Sequence, residues 1–166
     1  MSLTIQQSDS IVINAPAQRV WEINGLGFAD IGSWARNVLQ SRATTGDALP
    51  GAPASGRICT VAGFGEVVET LQRFDPETRG ITLTIEKGLP FFVRRSEFRS
   101  QVIALDATRS RFEVSQTMEI STFPGGLLFP LLRRKISSAV LSILEDLKVY
   151  AESGVVHPDK ARSQAA

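Results

Sequence analysis

Two residue types that build most small catalytic centres are almost missing from this chain. It has one cysteine, Cys59, and one histidine, His157. A single thiol cannot close an internal disulfide or form a CxxC site. A single histidine near the end of the chain all but excludes a structural zinc cluster, a histidine-based metal triad and a Ser-His-Asp triad in the core. No metal and no cofactor are therefore expected. An excess of one charge is lacking too, since 18 Lys+Arg face 17 Asp+Glu, for a formal charge of +1. A general nucleic-acid binder carries a basic face and a basic total, so that class is set aside. There is no long apolar run. The strongest, 123–132, is interrupted by Pro124, Gly125, Gly126 and Pro130, and is too short to cross a bilayer. Residues 1–10 offer neither a basic start nor an apolar stretch of signal length, which makes a cytoplasmic location the expectation.

What remains is an ordinary globular composition. The chain has 166 residues, 43% hydrophobic and 21% charged, which suits one domain around one core. Such a chain buries on the order of 70% of its unfolded surface.

The pattern along the chain is segregated. Residues 4–14 end in an Ile11-Val12-Ile13 run that reads as a strand. Pro16 then suits the first turn of a short helix carrying Val20 and Trp21 inward, broken by Gly25 and Gly27. A second short helix covers 28–34. Six strands follow, at 37–45, 55–63, 65–74, 79–87, 94–105 and 108–121. Short polar or glycine turns separate them, Gly63-Phe64-Gly65 being a tight hairpin, so neighbouring strands are antiparallel. Gly63-Phe64-Gly65 leads into no helix and is not a dinucleotide fingerprint. From Pro130 to Glu152 apolar residues recur at Leu132, Ile136, Val140, Ile143, Leu147 and Tyr150, the three-and-four spacing of an amphipathic helix. Pro130 opens it in this reading, and Gly154 closes it. The order predicts an α+β fold, one curved antiparallel sheet against one long C-terminal helix. Residues 1–154 form the single domain, and 155–166, including His157, are expected as a flexible tail.

Strand alternation locates the inner face. Phe112, Val114, Gln116, Met118 and Ile120 share a side, as do Ile81, Leu83 and Ile85; Ser96, Phe98, Ser100, Val102 and Ala104; and Val67, Glu69 and Leu71. Three of these faces carry polar groups: Gln116, Ser96 with Ser100, and Glu69. A dry core must satisfy each internally, whereas a hydrated pocket satisfies them with water or ligand.

The run 11–21, with Ala15-Pro16 and Val20-Trp21, resembles the opening of the START-like superfamily, often called SRPBCC. Trp34, Gly56-Arg57, the strand around Glu69 and Phe74-Asp75 add to the likeness, which covers about residues 5–154. The superfamily includes polyketide cyclases/dehydratases, birch-pollen-allergen-like carriers and plant abscisic-acid receptors. The resemblance implies a helix-grip fold, a seven-stranded antiparallel sheet wrapped around the C-terminal helix with a hydrophobic cavity between them. It also implies that Glu69 lies on the strand where the abscisic-acid receptors carry a pocket glutamate. Their gate loop is absent here, because Gly63-Phe64-Gly65 is too short, so hormone sensing is not carried over.

The candidate site follows. Glu69, desolvated between Val67 and Leu71, is the one weak candidate for acid–base chemistry; its alternative is a buried salt bridge with Arg57 or another arginine. Gln116 would orient a ligand carbonyl or hydroxyl. Trp34, Phe98, Met118, Phe123, Leu132, Ile136 and Val140 would line the cavity, with Phe91 and Phe92 capping its mouth. The apolar segment 123–130 reads as a lid, a packed connector or a dimer contact. Arg133, Arg134 and Lys135 oppose the helix dipole in the first turns of the helix. They would meet an anionic head group, a membrane surface or acidic strand residues. Cys59 reads as a small core residue. The expected function is binding of a small hydrophobic ligand, lipid- or polyketide-like, with a cyclase/dehydratase-type enzyme as the alternative. No integral membrane association is expected, and a homodimer is possible.

Overall fold

In the computed structural model, residues 2–123 and 125–164 are described. Seven strands form one antiparallel sheet: β1 (Ser2–Ile13), β2 (Val38–Ala43), β3 (Gly56–Val61), β4 (Gly65–Asp75), β5 (Gly80–Lys87), β6 (Val93–Ala104) and β7 (Ser110–Ser121). Their order across the sheet is β1-β7-β6-β5-β4-β3-β2. Each consecutive pair from β2 to β7 is a hairpin, and β1 returns to close on β7. Helix α1 (Ala17–Trp21) runs into a π-helical turn, Glu22–Leu26, and then a 3₁₀ helix, Phe28–Ser33. Helix α2 (Gly125–Ser153) crosses the concave side of the sheet, and α3 (Pro158–Gln164) follows it.

The inner faces are those the alternation predicts. Val67, Leu71, Ile81, Leu83, Val102, Phe112, Val114 and Ile120 are all buried. Against them α2 places Val140, Leu144, Leu147 and Ala151, with Ile13, Val20, Trp34 and Cys59 completing the main cluster. A second cluster gathers Trp21, Phe28, Leu71, Ile81 and Leu83 under the first helices. Trp21 also meets Phe74 with ring centroids 5.1 Å apart. Gly154 takes φ +71° and donates to the Tyr150 carbonyl at 2.9 Å, the left-handed C-terminal cap that a side chain would oppose.

Two expectations need correction. Helix α2 opens at Gly125, not at Pro130, which lies inside it. Proline removes one intrahelical donor, yet the helix is already one turn old there, Gly126 N–H having bonded the Thr122 carbonyl at 2.8 Å. Segment 123–130 is thus a turn and a helical start, not a loop; Pro124 lies outside the described residues. The tail is corrected as well. Within 155–166, residues Pro158–Gln164 are helical. The Lys160 side chain is fully buried and donates to the Val38 carbonyl at 2.5 Å. Asp159 joins Arg36 at 3.0 Å, and Arg36 also holds Asp146 and Glu145 on α2. His157, expected in solvent, accepts the Asp159 N–H at its Nδ1 (3.2 Å). A polar sequence hid a docked helix because its anchors are ionic, not apolar.

Candidate functional site between the sheet and helix α2

Strand register builds a polar band across the concave face. In one row Ile5 faces Met118, which faces Ser96; on the far side Ile85 faces Glu69, which faces Arg57. In the next row Gln7 faces Gln116, Gln116 faces Phe98, and Phe98 faces Leu83. Gln116 Nε2 donates to Ser96 Oγ at 2.8 Å. Asn24, from the π-helical turn, donates to Ser100 Oγ at 2.9 Å in a buried contact. These bonds answer most of the inner polar groups from within the protein, which lowers the cost of burying them.

The answer is incomplete at one place. Trp34 Nε1 is buried with no hydrogen-bond partner among the described residues.

Burial also varies along the inner face. Val61, Ile85, Phe98, Gln116 and Met118 point inward yet remain half-buried, as do Gln7 and, from α2, Leu132 and Ile136. Their inward neighbours Val67, Leu83, Val102 and Val114 are closed off. The sheet and α2 therefore meet tightly at the C-terminal half of the helix and loosely at its N-terminal half. An open groove of about 820 Å³ runs along α2 from Phe129 to Glu145, lined also by Gln7 and Arg36.

Glu69 does not stand alone. It is ion-paired with Arg57 Nε, both side chains being largely buried, at 12% and 8% exposure. Arg57 spends a second donor on the Phe28 carbonyl at 2.7 Å. Burial works against the Arg57 cation, but the charge of Glu69 and the hydrogen bond outweigh it and hold the guanidinium above its ordinary value. Gly56 makes the pairing possible, since a Cβ there would sit 2.2 Å from the Glu69 carbonyl oxygen. Cys59 Sγ lies 3.8 Å from the same carboxylate. Burial pushes the Cys59 thiol up to about 12, so it is a packed side chain and not a nucleophile. Of the two readings of Glu69, the buried salt bridge is the one realised.

The predicted site residues separate into three places. Glu69, Phe98, Gln116, Met118, Leu132 and Ile136 are half-buried, Phe98 and Ile136 packing against the main core. Trp34 and Val140 sit in the main core. Phe91 and Phe123 are exposed at one end of the sheet, with Phe92 half-buried beneath. Asn24 and Gln7 were missed. Alternation of Ile5, Gln7, Ile11 and Ile13 along β1 was the available signal for Gln7. Asn24 lies in a π turn, for which no periodicity speaks. Among the described residues no group of three or more His, Cys, Asp and Glu side chains is placed to hold a metal ion. No described helix is long and apolar enough to cross a membrane.

A curved seven-stranded antiparallel sheet holding one long C-terminal helix is the helix-grip architecture. Solved structures share it. A START superfamily protein from Mycobacterium smegmatis superposes with a TM-score of 0.74 at 14% identity, over 91% of this chain and 99% of that one. A point mutant of Thalictrum norcoclaurine synthase, in complex with a transition-state analogue, gives 0.69 at 13% identity, over 91% and 96%. XoxI from Bacillus cereus gives 0.66 at 20% identity, over 85% and 94%. A comparison with curated proteins gave no match. Residues 4–152 match the family model described as polyketide cyclase / dehydrase and lipid transport, and the chain belongs to that family.

Proposed function

We propose that this protein binds a small hydrophobic ligand, lipid- or polyketide-like, between the concave face of the sheet and the N-terminal half of α2. The observation that carries the reading is the half-buried state of inward residues Phe98, Gln116, Met118, Ile85 and Ile136 beside fully closed neighbours. Apolar walls favour entry by about 25 cal/mol per Å² of surface removed from water. Gln116, already held by Ser96, offers its carbonyl oxygen and a second amide hydrogen to a ligand hydroxyl or carbonyl. Family membership supports a hydrophobic ligand-binding role of this general kind.

An acid–base role for Glu69 is disfavoured, because Arg57 occupies the carboxylate. Glu69 and Arg57 serve as a fixed polar wall, and the protein acts as a carrier or sensor of its ligand.

Native mass spectrometry of the purified protein is the first test, followed by uptake from a panel of lipids and aromatic polyketides. Bound species, and affinity reduced at least tenfold by Phe98→Ala or Met118→Ala, are expected. Absence of bound species together with no uptake from the panel would end the proposal.

A further inference from the structure

The mouth of the fold carries a surface that the interior ligand does not explain. The β5–β6 turn and the turn before α2 lie side by side there, since Ser121 N–H donates to the Phe92 carbonyl at 2.7 Å and Ser121 Oγ to the Phe123 carbonyl at 3.1 Å. Helix α2 starts on the same spot, with Gly125 against Ile120 and Gly126 against Leu3. Four large apolar side chains stand in solvent at this place: Phe91 at 87% exposure, Phe123 at 78%, Leu127 at 77% and Leu131 at 54%. Phe91 touches Phe92 edge-on, centroids 5.6 Å apart. The first turns of α2 are apolar on every side, with Leu127, Leu128, Phe129, Leu131 and Leu132 in six positions. A helix of that kind is normally covered.

Charge decides what covers it. From Ile120 through Leu144 there is no acidic residue, while Arg133, Arg134 and Lys135 are present. From Lys87 through Ser96 there are three cations, Lys87, Arg94 and Arg95, and again no acid. Arg95 pairs with Glu97. Among the described residues Lys87, Arg94, Arg133, Arg134 and Lys135 take part in no ion pair. Arg133, Arg134 and Lys135 lie two turns past the start of α2 at Gly125, beyond the reach of the dipole at its first turn. A second copy of this chain would bring cations against cations, a costly match. Exposed Phe and Leu on the same two segments as these Arg and Lys fit an anionic lipid surface, where the apolar tips enter the acyl boundary and the cations meet the head groups.

We propose that this end of the molecule docks on anionic bilayers, inserting Phe91, Phe123 and Leu127 and laying Arg133, Arg134 and Lys135 on the head groups. The docking goes beyond the interior ligand and does not depend on it. Vesicle co-sedimentation reads it directly, using phosphatidylcholine alone and phosphatidylcholine with one-third phosphatidylserine. The full chain partitions to the anionic vesicles, and added salt weakens it. Each cation near such a surface is worth about fivefold, so Arg133→Gln/Arg134→Gln/Lys135→Gln lowers partitioning by on the order of a hundredfold. Phe91→Ser/Phe123→Ser/Leu127→Ser abolishes it while far-UV circular dichroism stays unchanged. These are surface positions, and Phe91→Ser alone is the fallback should the triple variant fold poorly. Wild-type protein left in the supernatant with both vesicles overturns the proposal, as does a charge variant that binds like wild type. A dimer seen by light scattering and lost in the Phe/Leu variant assigns the patch to a second copy, and overturns it too. Native mass spectrometry of the interior ligand is a separate readout, so either reading can fail alone.

Discussion

The Arg57–Glu69 pair makes the sharpest stability prediction. Both side chains are about nine-tenths covered, and Arg57 also satisfies the Phe28 carbonyl. Arg57→Met therefore leaves a buried carboxylate without its cation and a carbonyl without its donor. Breaking a buried pair from one side costs about 3–5 kcal/mol. For a chain of this length each kcal/mol moves the melting temperature by about 2–4 °C, so the loss is roughly 6–20 °C. Glu69→Leu strands the cation instead and falls in the same range. Replacing both, as Arg57→Met/Glu69→Leu, removes the two desolvation costs together and recovers most of the loss, the Phe28 carbonyl still lacking its donor. Urea unfolding of the four proteins gives the coupling energy directly. If each single variant costs under about 1 kcal/mol, or the two losses simply add, the carboxylate is not held by Arg57. Glu69 then regains its standing as a free acid–base group.

Two further outcomes follow from local chemistry. The backbone N–H of Thr78 and then the Thr78 hydroxyl and Arg73 hold the Asp75 carboxyl down to about 2, and Thr108 with Arg109 does the same to Asp106. Both lie below their unfolded value of about 3.9, so their contribution is complete above pH of about 4 and is lost as pH falls toward about 2; carboxyl NMR titration with midpoints near 4 would contradict this. A chain ending at Gly154 loses the buried Lys160 bond to Val38 and the Asp159 link to Arg36; the charged hydrogen bond is worth about 1.5–3 kcal/mol, and an unchanged melting temperature would show the tail to be an appendage.

The sheet was readable because it obeys one rule. Period-two alternation in 66–74, 79–87, 94–105 and 111–120 named the inner residues, and the turn glycines and Asp75-Pro76 named the hairpins. The first short helix and the 3₁₀ helix at Phe28–Ser33 were announced by Pro16 and by the glycines at 25 and 27. The start of α2 was not readable, because Gly125, Gly126 and Pro130 each argue against a helix while Leu127, Leu128, Leu131 and Leu132 argue for one. Local propensity lost to the anchoring of Gly125 on Ile120. For the site, alternation put Glu69 inside, but only register could say that Arg57 sits opposite it. Whether an inward carboxylate is a reagent or half of a salt bridge is a cross-strand fact, invisible to a reading along one strand.

Stability and binding are divided along the length of α2. From Val140 onward the helix closes on the sheet through Leu144, Leu147 and Ala151, and its far end is pinned by Arg36, by α3, and by Lys148, which donates to the Val12 carbonyl at 2.7 Å. Burial of these four apolar side chains supplies several kcal/mol, so this half can hold the helix in place alone. The half before Ile136 is released from that duty. Its apolar side chains face solvent or a partly open interior, at an energetic cost that only a fold secured elsewhere sustains. A protein built to be a solid core would spread its contacts evenly along the helix. The uneven distribution suits the ligand site proposed above, because an end that opened to admit a ligand could not also be the end that keeps the chain folded.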